Sequence, residues 1–125
     1  MTGCTLDAGA LIALERGDRR VALLLAEALA GGLTIAIPAG ALGQAWRDGA
    51  RQARLARLVA SPEVEVEQLD ALRARASGQL CGLRGTSDVI DASVVLCARA
   101  RDHVVLTSDS RDLRRLDPTL TLLAV

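Results

Sequence analysis

Short apolar runs, each ending at a polar residue and followed by a stretch of helical period, are what most constrain the fold of this chain. Residues 3–6 end at Asp7, residues 33–37 (LTIAI) end at Pro38, and residues 104–106 run into Thr107-Ser108-Asp109. Runs this short do not make buried helices, and they lack the alternation of a strand with one wet face. They read as strands covered on both sides, the pattern of parallel pairing. VEVEQL at 64–69 alternates strictly and reads as an edge or half-exposed strand, and TLLAV at 121–125 closes the chain as a last strand.

Helical periodicity fills the intervals. It predicts helices over 8–15, 20–30, 38 to about 48, 51–60, 69–80, 87–100 and 111–116. Gly17-Asp18, Gly31-Gly32, Gly49 and Pro118 punctuate them, while Gly78, Gly82 and Gly85 are expected to loosen the chain. Pro38 suits a helix start because its missing N–H is an orphan there anyway. In the 51–60 segment Leu55, Leu58 and Val59 face inward, with Arg51, Arg54 and Arg57 outward. The expected fold is α/β with three layers, a mostly parallel central sheet flanked by helices.

At 125 residues the chain reads as one domain over 1–125, long enough to bury a core. Half of it is hydrophobic, yet Trp46 is the sole aromatic residue, so the core must be built from Leu, Val, Ala and Ile. Fifteen basic and 15 acidic residues cancel, which removes any bulk electrostatic argument for nucleic-acid binding and leaves room for a local basic surface. Cys4, Cys81 and Cys97 are odd in number and lack metal-like spacing, so buried thiols in a reducing compartment are expected. No apolar run reaches the roughly 18 residues of a membrane span, and a soluble cytoplasmic protein is expected.

The chemistry lies in aspartates that border the apolar runs. Asp7 and Asp109 follow strands, at the carboxyl ends where α/β sheets bind ligands. Asp91 stands one turn into a helix, and Asp88 precedes it by three residues. Carboxylates brought together this way repel one another unless a cation neutralises them. A hard divalent ion, Mg²⁺ or Mn²⁺, matches oxygen donors. Such an ion lowers the pKa of a bound water and stabilises charge on a phosphodiester.

Each acid also has a plainer role. Asp7, Asp88 and Asp109 all precede helices and fit the N-cap position. Asp88/Asp91 and Asp109/Asp112 have capping-box spacing, and Asp112 reads as a surface or capping acid. Thr107 and Ser108 are placed to orient a water or a phosphate, or else to satisfy local backbone. Arg47, Arg84 and Arg111 are candidates for phosphate contact, or ordinary solvated charges. Trp46 reads as packing, and His103, at the opposite end of its strand, has no assigned role.

The segments LDAGALIAL, IPAGALGQAWR, GTSDVIDASVV and VVLTSDSRDL also carry a resemblance. In order and approximate spacing, over nearly the whole length, the chain resembles PIN-domain proteins, specifically VapC-type toxins of bacterial toxin–antitoxin pairs. The resemblance implies a PIN-like fold and a Mg²⁺- or Mn²⁺-dependent endoribonuclease. Asp7, Asp91 and Asp109 match family acids that hold the metal, and Asp88 is an additional acid beside them. Gln44 stands where the family's second acid, usually Glu, is found. An amide keeps an acceptor oxygen but has no charge and cannot act as a base. The family further implies an RNA substrate, a cognate antitoxin and a homodimer. Gln44 keeps a second possibility open, a catalytically weak or silent PIN domain acting through RNA or antitoxin binding. A phosphatase or receiver-like site also uses acids at strand ends, but here the N-terminal acids are unpaired and no switch Lys follows the later strand.

Overall fold

The computed structural model describes residues 2–125. Five strands form one sheet in the order β3-β2-β1-β4-β5: β1 (Gly3–Leu6), β2 (Thr34–Pro38), β3 (Val64–Glu67), β4 (Val104–Thr107) and β5 (Leu122–Ala124). Every pairing is parallel, with Thr5 beside Ala36 on one side and beside Val105 on the other. All of β1 and β4 is buried, whereas β3, at the edge, is only partly covered. That contrast is what uniform apolarity against alternation predicts.

Helices α1 (Ala8–Glu15), α2 (Arg19–Ala30), α3 (Ala39–Ala45), α4 (Ala53–Ala60), α5 (Ala71–Arg84), α6 (Val89–Arg101) and α7 (Ser110–Leu116) complete the fold. Two aliphatic clusters make the core. Leu6, Leu11, Val21, Ile35, Ile37 and Leu55 belong to the cluster that takes in α1, α2 and α4, and Trp46 packs half-buried against it. Val94, Val95, Val105, Leu113 and Leu116 belong to the other, which takes in α6 and α7. Cys4, Cys81 and Cys97 are buried free thiols. Burial pushes Cys4 up to about 11 and Cys97 up to about 12, so both stay protonated near neutrality. Among the described residues no helix is long and apolar enough to cross a membrane.

The structure differs from the expected helices at three places. α3 ends at Ala45, short of Asp48, because Trp46 leaves the helix in an extended conformation and Gln52 folds back, its Oε1 accepting from Arg47 N at 2.7 Å and Asp48 N at 2.9 Å. Arg51 therefore lies in a turn ahead of α4. Pro38 closes β2 and forms the N-cap of α3. α5 runs straight through Gly78 and Gly82 and stops only at Gly85, whose φ of 67° terminates it in the left-handed region.

The end of the sheet away from the strand carboxyl termini is closed by His103. Its ring bridges Thr5 Oγ1 and Thr34 Oγ1, each at 3.0 Å, and Gly3 passes so close that an added Cβ would stand 2.0 Å from the Thr34 carbonyl oxygen. At the C-terminal end of α6, Arg101 is paired with Glu65 at 2.8 Å and with Glu67, while Arg73 of α5 holds Glu67 at 2.7 Å. These ties fasten edge strand β3 to α5 and α6.

Substitutions at glycine separate the two environments. At Gly78 and Gly82 an added Cβ meets nothing within 4 Å, so Gly78→Ala and Gly82→Ala should each stabilise the protein by about 0.5–1 kcal/mol in urea unfolding. Gly3→Ala should instead cost more than about 3 kcal/mol, because the clash is with backbone in a buried strand pair.

Candidate metal centre

β1 and β4 are hydrogen-bonded neighbours, so their carboxyl ends deliver Asp7 and Thr107 to the same place. Asp7 is 5% exposed and its backbone is extended, which makes it the N-cap of α1: Oδ1 accepts from Ala10 N at 2.9 Å. Its other oxygen accepts a short hydrogen bond from the Thr107 hydroxyl, which in turn accepts from Asp109 N at 2.8 Å. Burial raises the Asp7 pKa, and the hydrogen bonds from Thr107 and from the start of α1 act against that rise.

Asp88 caps α6, Oδ1 accepting from Asp91 N at 2.9 Å, and so turns the first turn of that helix toward the same crevice. Asp91 is pushed up to about 7, first by burial and then by the charges of Asp88, Asp109, Asp112 and Asp7. Asp109 makes no side-chain cap bond. Its pKa is raised by burial and by its hydrogen bond and charge contact with Asp112.

The resulting cavity holds about 220 Å³ and is lined by Asp7, Gly9, Gln44, Asp88, Asp91 and Asp109, together with Ser108. Its lining includes no cationic side chain. The structure thus brings together Asp7, Gln44, Asp88, Asp91, Asp109 and Ser108, with Thr107 bonded to the Asp7 carboxylate. Arg47, Arg84 and Arg111 do not line it. Arg47 folds back onto the Trp46 carbonyl at 2.7 Å and the Gly43 carbonyl at 3.2 Å, while Arg84 stands at the end of α5. A larger cavity, about 570 Å³, lies at the β3 edge beside Arg73 and Arg101, away from these acids.

Two contributors read differently in the sequence. Asp112 looks there like a surface or capping acid, but oxygens of Asp91, Asp109 and Asp112 lie within 4.8 Å of one another. The three-residue spacing from Asp109, on a helix that begins between them, was the available signal. Gly9 carries no chemistry, yet a Cβ there would fall 1.7 Å from Ser108 Oγ, so glycine allows α1 to press against the segment that carries Asp109.

The donor set tests well for a hard cation. It is all oxygen, it gathers like charges at close range, and its lining is short of positive charge. Asp7 differs from the close trio because both of its oxygens are already hydrogen-bonded.

No family model and no curated protein matches the sequence. Solved structures do match the fold. The crystal structure of VapBC2 from Rickettsia felis bound to a DNA fragment from their promoter gives a TM-score of 0.70 at 19% identity, over 98% of each chain. FitAcB from Neisseria gonorrhoeae gives 0.61 at 14% identity, over 96% of each chain. The shared architecture is PIN-like, a parallel α/β sheet flanked by helices.

The raised pKa of Asp91 sets the sign of a pH effect. Its contribution to stability is fully present below the ordinary carboxylate range and is lost as pH rises toward about 7. Asp91→Asn should therefore raise the Tm of metal-free protein at pH 7.5, with little change at pH 4. Millimolar Mn²⁺ should raise the wild-type Tm at pH 7.5 but not at pH 4, as scanning fluorimetry would show.

Proposed function

We propose that the chain is a divalent-metal-dependent endoribonuclease of the PIN type, the toxin of a toxin–antitoxin pair, acting as a cytoplasmic single-domain protein. One observation carries the proposal: acids from the ends of β1 and β4 and from the start of α6 meet in one cavity lined by no cationic side chain, with Asp112 of α7 close to Asp91 and Asp109. The fold likeness to VapBC2 and FitAcB supports it.

In this reading Asp91, Asp109 and Asp7 hold Mg²⁺ or Mn²⁺, with Asp88 and Asp112 supplying further negative charge beside them. When bound, the cation supplies a lowered water pKa and counter-charge for the phosphodiester. Thr107 fixes the orientation of Asp7 through its hydroxyl and ties it to the Asp109 backbone. Ser108, on the cavity wall, is placed to donate to a phosphate oxygen. Gln44 offers a carbonyl oxygen and two N–H donors to water or phosphate, but cannot take a proton. A homodimer and a cognate antitoxin belong to the same proposal.

Gln44 favours one rival, a PIN domain that binds RNA or antitoxin and cleaves weakly or not at all. The two readings diverge in an RNA cleavage assay with Mn²⁺. The ribonuclease reading expects cleavage that EDTA abolishes, an Asp91→Ala loss of at least about 100-fold, and a gain with Gln44→Glu. If neither the wild type nor Gln44→Glu cuts structured or single-stranded RNA, the ribonuclease reading fails.

A further inference from the structure

An acidic cavity does not hold a polyanion by itself. With Asp7, Asp88, Asp91 and Asp109 on its lining and no cationic side chain, the phosphates flanking the scissile one need positive charge beyond the rim. A second hollow of about 560 Å³ opens beside it and shares Gly9 and Ser108 with it. One wall is a face of α1, where Gly9, Ile12, Ala13 and Arg16 recur at helical spacing. Arg16 stands roughly 10 Å along the helix axis from Gly9 at 1.5 Å per residue.

A second cation stands at the same end. Gly17 turns the chain with φ +82°, and the Arg54 guanidinium carbon comes within 3.6 Å of where a Gly17 Cβ would be. Arg54 is steered there by a bond from Nη1 to the Glu15 carbonyl at 3.2 Å. Of the nearby acids, Glu15 is engaged away from the hollow, its Oε2 accepting from Leu55 N at 2.9 Å. Asp18 lines the hollow, its Oδ1 capping α2 through Arg20 N at 2.9 Å, so the two arginines outnumber the single carboxylate there. Both arginines are exposed, and among the described residues neither takes part in an ion pair.

We infer that this hollow is the track along which single-stranded RNA enters the acidic cavity, with Arg16 and Arg54 gripping backbone phosphates on one side of the scissile bond. The inference rests on the ribonuclease reading and assigns that reading its substrate path. Ile12 and Ala13 give the floor an apolar strip against which ribose and base faces lie. No aromatic side chain lines the hollow, so the grip is on the backbone and tolerant of base sequence.

The test is fluorescence anisotropy with a labelled mixed-sequence RNA of about 20 nucleotides, longer than the roughly 4–16 nucleotides that an OB fold covers, on Asp91→Asn protein to suppress cleavage. Adding Arg16→Ala and Arg54→Ala together should weaken binding at least about tenfold and lower the slope of log Kd against log salt by about 1.4, two phosphate contacts' worth. Arg16→Ala alone, at an exposed helix end, keeps the test free of folding effects and should weaken binding about threefold, with a slope change of about 0.7. Arg75→Ala, on the exposed face of α5, should leave binding unchanged. Binding within twofold of the parent with an unchanged salt slope would remove the track and leave the cleavage reading standing. Absence of RNA binding by every form would overturn both. Displacement of the RNA by a glutamate decapeptide at equal affinity, through the same arginines, would assign the hollow to an acidic protein segment instead.

Discussion

The parallel pairing of β1 with β4 is the constraint on which everything else depends. Asp7 and Thr107 are 100 positions apart, yet the register that sets Leu6 beside Leu106 leaves them bonded side chain to side chain. β1 has β2 on one side and β4 on the other, so the chain reverses its direction of travel across the sheet at this pair. Open α/β sheets form their ligand crevice beyond the carboxyl ends of the strands at such a point. The first turns of α6 and α7 then need only to lean over it for Asp91 and Asp112 to arrive.

What assembles there works against the fold. Burial and mutual repulsion both disfavour the ionised Asp91, and no arginine lines the cavity to relieve it. Stability must come from elsewhere, and the two aliphatic clusters on either side of the sheet are the evident source. With Trp46 the sole aromatic, those clusters rely on branched side chains, and Leu11, Ile35, Ile37, Leu55, Val95 and Val105 are fully buried. A local conflict tolerated inside an otherwise consistent structure is the usual mark of a site kept for chemistry.

Strand identity was legible because burial on both faces leaves a direct imprint: β1, β2 and β4 are apolar runs and β3 alternates. Helix ends were less legible, since they turn on contacts that propensity does not contain. α3 stops where the Gln52 side chain reaches back to Arg47 and Asp48, and α5 ignores two glycines because its packing on α6 outweighs their intrinsic cost of about 1 kcal/mol each. At the site, Asp7, Asp88, Asp91 and Asp109 stood out by bordering apolar runs. Asp112 did not, because its part depends on the direction in which α7 leaves β4. Arginine placement was least legible: all 15 cationic side chains look alike in the sequence, and only the course of α1 and the turn at Gly17 single out Arg16 and Arg54.

The ties at Arg101 have a consequence at the opposite end of the molecule. α6 is 13 residues long, about 20 Å of rigid rod at 1.5 Å per residue, with Asp91 in its first turn and Arg101 as its last residue. Clamping the last residue to Glu65 and Glu67 fixes how far the helix can slide or roll beneath the sheet. The edge strand therefore anchors one end of a strut whose other end, packed on the sheet through Ala92, Val94 and Val95, carries the central carboxylate. An acid that must resist its neighbours' repulsion is held in part by an attraction made about 15 Å away along the same helix.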